Sequence, residues 1–244
     1  MARHGQGRLA DAELLLQQAT HLVPERASLW EAYGRLLVDM GRDEDAAAIY
    51  LKAIDLENHE GLVSVHRHRP ESHLDLALVL FRLKRFSEVV EHCRAYLKEC
   101  NNPPNPLAYR KLVDSLIRLK EYSQALSELQ RLQTFDFHVL TENDKKWYHH
   151  LKAITYFGLS EYSEALEEID TALQLAPQDT SLLYDRARAL SRLGRLTEAI
   201  DALSVALNTN DPSSKKLART DPDLENLRSS TDLEVATKVA KLLE

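Results

Sequence analysis

In 244 residues, 31 Lys and Arg face 38 Asp and Glu, a net charge of −7, which counts against a nucleic-acid partner because that affinity rests largely on phosphate neutralisation. Apolar residues make up 44%, enough for a sizeable core, whereas seven Gly and eight Pro are too few for a turn-rich all-β fold. Cys93 and Cys100 lie seven positions apart, roughly 10 Å along a helix and too far for a disulfide; free thiols suit a reducing compartment, so a cytoplasmic location is expected. The opening MARHGQG has no apolar run, so neither a signal peptide nor a membrane span is expected.

From Gly7, GRLADAELLLQQATHLVP has the three-and-four apolar spacing of a helix. SLWEAYGRLLVDM (residues 28–40) follows with the same period, then GRDEDAAAIYLKAIDLEN from Gly41. Three weaker pairs come next. SHLDLALVLFRL precedes KRFSEVVEHCRAYLKECN from Lys84, LAYRKLVDSLIRL precedes KEYSQALSELQRLQTFDF from Lys120, and WYHHLKAITYFGL precedes SEYSEALEEIDTALQLAP from Ser160. LLYDRARALSRL and GRLTEAIDALSVALNTND, from Gly194, close the series. Aligning Ala12, Ala46, Val89, Ala125, Ala165 and Ala199 gives spacings of 34, 43, 36, 40 and 34. The unit is helix, tight turn, helix, with a basic period of 34. Small residues Gly34, Ala77, Ala153 and Ala187 sit mid-way along the first helices, with Val113 larger; Tyr50, Leu129, Ile169 and Leu203 fill the space opposite.

This pattern resembles the tetratricopeptide repeat family over residues 1–212. In the second copy Trp30, Gly34, Leu37, Gly41, Ala46, Tyr50 and Ala53 fit its motif, and Pro24 and Pro177 stand where the family often ends a repeat. Val89, Tyr96 and Leu132 replace small residues, so altered packing is expected in the third and fourth repeats. The resemblance implies an all-α fold: a right-handed α-solenoid of one half plus five full repeats, closed by a C-terminal helical cap over 213–244. An insertion near 59–69 accounts for the longest spacing. The first copy has only its second helix, which leaves residues 8–23 bare and open to self-association. In the cap, Asp221 before Pro222 starts a helix, Thr231 with Glu234 makes a capping box, and Lys238 and Lys241 fall near the C-terminus.

No phosphate loop or nucleophile elbow is present, so a non-enzyme with no cofactor is expected. Glu167-Glu168 reads as a solvated surface, and Cys93, aligned with Tyr50 and Leu129, as a packing thiol. Adjacent His149 and His150 diverge by about 100° on a helix, one packing and one facing outward. His66 and His68 point apart in the inserted loop, and His73 begins the next helix; with no fourth ligand, no metal site is expected.

The resemblance also implies that the first helix of each pair lines a concave groove. Projection places Glu31, Arg35 and Asp39 there, then Leu74, Leu78, Phe81 and Arg82, then Arg110, Asp114 and Arg118. Trp147, His150, Ile154 and Phe157 follow, and then Tyr184, Arg188 and Arg192. Arginine binds carboxylates bidentately and stacks on rings, so the expected ligand is a protein segment with acidic side chains or a free C-terminal carboxylate. The Lys, Asn and Arg set with which some family members hold chaperone tails is missing. The chain is expected to be an interaction module or adaptor; the alternatives are a self-assembling scaffold and a regulatory segment of a larger protein.

Overall fold

The computed structural model describes residues 2–60, 70–100, 105–134, 140–208 and 212–243, and every helix and turn below lies among these. Eleven helices precede the cap: α1 (Ala2–Leu22), α2 (Ala27–Asp39), α3 (Asp43–Glu60), α4 (Glu71–Arg82), α5 (Phe86–Glu99), α6 (Pro106–Arg118), α7 (Tyr122–Thr134), α8 (Glu142–Leu159), α9 (Tyr162–Leu175), α10 (Thr180–Arg192) and α11 (Leu196–Ala206). The cap comprises α12 (Pro212–Thr220), a 3-10 turn (Pro222–Leu224), α13 (Glu225–Arg228) and α14 (Leu233–Leu243). The fold is the expected all-α helix-turn-helix array. It forms two compact units, Met1–Leu119 and Lys120–Glu244.

Four turns between paired helices repeat one device. The Arg42 N–H returns to the Leu37 carbonyl at 2.9 Å, and Arg85 to Leu80, Glu161 to Tyr156 and Arg195 to Leu190 do the same. This six-to-one closure needs a left-handed residue just before the donor. Gly41 (φ 74°) and Gly194 (φ 75°) supply it without strain, but Lys84 (60°) and Ser160 (62°) carry a side chain there. Starts are also set locally. Asn105 accepts from the Leu107 N–H with Pro106 at the first position, Thr141 and Asp144 form a capping box, and Asp179 accepts from Ser181 and Leu182. The cap corrects one expectation: Asp232, not Thr231, caps α14, taking the Glu234 and Val235 N–H groups at 2.9 and 3.1 Å. Asp221 caps the 3-10 turn as expected, accepting from the Asp223 N–H.

Small residues let paired helices approach. A Cβ on Gly34 would stand 2.8 Å from the buried Tyr50 ring, and one on Gly158 of α8 would run into the Tyr122 ring of α7, the helix before it. Val89, Tyr96 and Leu132, the large substitutes, are nonetheless buried. In the second unit one core runs from Ala153, Ile169, Ala187 and Leu203 into Leu224, Leu227, Val235 and Val239 of the cap; each fully buried leucine contributes about 2 kcal/mol. At the other end α1 leaves Leu14 (55% exposed), Leu15 (64%) and Leu22 (78%) uncovered. An open recess of about 530 Å³ is lined by Gln17, Thr20, His21, Pro24, Trp30 and Tyr33. Of the inserted loop, His66 and His68 lie outside the described residues. Pro70 directly precedes α4, and His73 is buried with its Nδ1 2.9 Å from the Nδ1 of His92.

Candidate functional site

In the first unit the first-helix face is carried by α2, α4 and α6. The side chain of Arg35 is 57% exposed, yet its guanidinium already meets Asp75 at 3.1 Å and Glu31 at 3.4 Å. Burial works against the charge on Arg35, and the bond to Asp75 together with the negative charges of Asp75 and Glu31 outweighs it. Arg82 grips Asp43 with two bonds of 2.9 and 2.6 Å. Between these arginines lies an open cleft of about 300 Å³, floored by Tyr50, Leu78 and Val79 and edged by Asp39. Phe81 stacks edge-on against Phe86 and receives the Lys111 ammonium 3.8 Å from its ring centre; burial lowers the Lys111 pKa. Arg118 is exposed and meets Asp114 at 3.5 Å. Arg110 is exposed and has no ion-pair or hydrogen-bond partner among the described residues.

The second unit arranges the same positions differently. Arg188 on α10 is a hub: it meets Asp185 at 2.8 Å, Asp223 at 2.5 Å and Asp221 at 3.4 Å, and its guanidinium carbon lies 4.6 Å from the Phe157 ring centre. Arg192 donates to the Tyr162 hydroxyl at 2.7 Å and stands 3.9 Å from Asp223. Tyr184 donates to Asp221 at 3.0 Å, and His150 pairs with Asp185 at 2.9 Å. The acidic turn of the cap thus contacts Tyr184, Arg188 and Arg192. Trp147 is 6% exposed, its indole donating to Asp144, so it packs inside rather than lining an open face.

Two surface expectations also change. His149 and His150 are both half-buried, and each holds a carboxylate: Glu168 at 2.6 Å for His149 and Asp185 for His150. Glu168 is no solvated residue; although burial raises its pKa, the bonds from His149 and Lys152 bring it below the usual carboxylate value. Cys93 is fully buried, and burial pushes its thiol up to about 12, which removes it as a nucleophile.

What the pattern reading missed is the set of internal acids. Asp75 and Asp185 each stand two positions before the small mid-helix residue, Ala77 or Ala187, and each reaches a cation or histidine of the preceding first helix. That recurrence is the sequence signal that could have found them.

The tetratricopeptide repeat model matches residues 2–61 and 150–215, just over half of the chain. The stretch between holds the copies with Val89, Tyr96 and Leu132. A TPR repeat-containing protein of Methanocaldococcus jannaschii is 27% identical over 223 residues; the match covers 86% of this chain but only 36% of the relative. A tetratricopeptide repeat protein from Parabacteroides merdae superposes with a TM-score of 0.64 at 16% identity, over 98% of this chain and 93% of that one. YrrB, described as a TPR protein with an unusual peptide-binding site, gives 0.61 at 17% identity over 79% and 91%. MamA from Desulfovibrio magneticus gives 0.61 at 16% identity over 81% and 97%. No helix among the described residues is long and apolar enough to cross a membrane. Its paired helices, repeated left-handed turns and matched motif establish that the chain belongs to the tetratricopeptide repeat family, whose arrays are protein–protein interaction modules.

Proposed function

We propose that the first-helix face of the first unit holds an extended or helical segment of a partner protein, through acidic side chains or a free C-terminal carboxylate. The observation that carries this reading is Arg110. It is an exposed arginine with no partner among the described residues, on the same helix as exposed Arg118 and as Lys111, which stacks on Phe81. The cleft beside Arg35 and Arg82 gives an apolar floor for one partner side chain, and both arginines can exchange an internal carboxylate for an external one. Arginines and aromatics are common anchors of such contacts. The matching face of α10 is filled by the chain's own Asp221 and Asp223, so the first unit is the better seat. The test is fluorescence anisotropy with the acetylated peptide copying residues 221–227, an acid-Pro-acid segment this chain already accommodates. Arg110→Glu with Arg118→Glu should weaken binding at least tenfold while the fold is kept; unchanged affinity sinks the reading.

The bare leucines of α1 support a second role in self-association through that helix. Sedimentation of wild type and Leu15→Glu across concentration separates the two, because a strict monomer removes the second. The chain spans about a third of the length of its archaeal relative, and the role we propose for it is that of a non-catalytic adaptor or a regulatory segment. We place it in the cytoplasm on the strength of two cysteines that form no disulfide.

A further inference from the structure

Behind Arg35 lies a pair of buried carboxyl groups. Glu31 on α2 is 3% exposed and Glu57 on α3 is 8% exposed. Ser72 on α4, wholly buried, stands between them, its Oγ 2.9 Å from Glu31 Oε1 and 3.2 Å from Glu57 Oε1. A hydroxyl has a single hydrogen to donate. If both carboxyls were ionised, one of these contacts would press two lone-pair oxygens together in a dry site. Both are satisfied when one carboxyl is protonated and donates to the serine, which donates in turn to the other. Glu31 is the ionised member, because its second oxygen faces the Arg35 guanidinium at 3.4 Å. Glu57 is the protonated one, since its Oε2 has no partner among the described residues.

The charged groups around the pair come from three helices. Arg35 on α2 is positive; Asp75 on α4, with Glu71 acting on it, and Glu99 on α5 are acidic. His73, next to Ser72, is turned to His92 instead. Arg35 therefore faces two ways, outward to the cleft and inward to Glu31.

We propose that the first unit binds its partner with linked proton uptake: an acidic segment that engages Arg35 withdraws positive charge from Glu31, and the Glu31–Ser72–Glu57 cluster takes up a proton in return. This rests on the peptide reading above. A carboxylate brought to Arg35 acts on the cluster through a poorly screened interior, and linkage makes the coupling reciprocal, so a protonated cluster binds the acidic segment more tightly. Burial, with Glu31 alongside, pushes the Glu57 carboxyl up to about 8. Affinity should therefore fall as pH rises through that value, by about three- to tenfold between pH 7 and 9 for one linked proton.

Calorimetry of the full chain with the acetylated 221–227 peptide, at pH 8 in HEPES and in Tris, reads the proton directly. Wild type should give enthalpies that differ between the buffers in the sense of proton uptake. Glu57→Gln should bind with the same enthalpy in both, and with affinity flat across pH. Equal enthalpies in wild type overturn the linkage and leave the peptide reading standing; so does an uptake that persists in Glu57→Gln. Absence of binding in either buffer and at pH 6.5 overturns the peptide reading, and this inference with it. Should Glu57→Gln not fold, carbon-13 carboxyl titration of wild type with and without peptide replaces it. The Glu57 midpoint should rise on binding, and an unmoved midpoint refutes the linkage.

Discussion

Replacing Glu57 by Gln should stabilise the protein at alkaline pH and leave it little changed in acid. Glu57 is 8% exposed, and its carboxyl, raised by burial and by Glu31, titrates near 8 instead of the ordinary 4.5. Between those values the folded state holds a proton that the unfolded chain has released. Stability is thus fully present below about 4.5 and falls as pH rises toward 8, the reverse of a salt-bridged carboxylate. Each pH unit in that window costs up to about 1.4 kcal/mol, so by pH 7.5 a dry site would lose about 4 kcal/mol. Arg35, close to Glu31, offsets part of this, and about 2–3 kcal/mol is expected. Glutamine keeps the shape, and its amide donates to Ser72 Oγ as the protonated carboxyl does. Urea unfolding of wild type and Glu57→Gln at pH 5.5 and pH 8 measures the difference. The variant should match wild type within about 1 kcal/mol at pH 5.5 and exceed it by about 2–3 kcal/mol at pH 8. Parallel stability curves across pH would show that Glu57 is ionised in the folded protein, and the proton argument would fail.

Other outcomes follow from the same geometry. Lys84→Gly and Ser160→Gly relieve left-handed backbone at φ 60° and 62°, and each should raise the unfolding free energy by about 0.5–1 kcal/mol in denaturant melts. Gly34→Ala gains about 1 kcal/mol of helix propensity but sets a Cβ 2.8 Å from a Tyr50 ring that is 2% exposed. Overpacking costs about 1–3 kcal/mol, so calorimetry should show a lower melting temperature. Arg188→Ala strands Asp185 (7% exposed) and Asp221 (8%) without their cation. A loss of about 3 kcal/mol is expected, against under 1 kcal/mol for exposed Arg110→Ala in the same assay.

The architecture was legible because its signals are local. From the second copy on, the opening residues Gly41, Lys84, Lys120, Ser160 and Gly194 are the left-handed residues of the turns, found by register even where lysine or serine hides the glycine signal. The small residue facing a large one, as at Gly34 and Tyr50, was equally plain. The partners of the residues projected onto the first helices were not legible, and of those residues Glu31, Leu74 and Trp147 are buried. Arg35 and Asp75 are 40 positions apart, Arg188 and Asp223 35, and only the stacking of neighbouring helices brings them together. Trp147 was misjudged for a nearer reason. The apolar pattern starts there, but the Thr141–Asp144 box starts α8 five residues earlier, and Asp144 then holds the indole.

The core that passes unbroken from Ala187 and Leu203 into Leu224 and Val239 has a consequence for how the second unit opens. A segment that shares its buried side chains with the repeat beneath it has no independent melting step. Amide hydrogens of α14 should exchange with those of α11, as one cooperative block. Helix α1 leaves Leu14, Leu15 and Leu22 exposed, so its amides should exchange sooner than those of the helices packed in the core of the first unit.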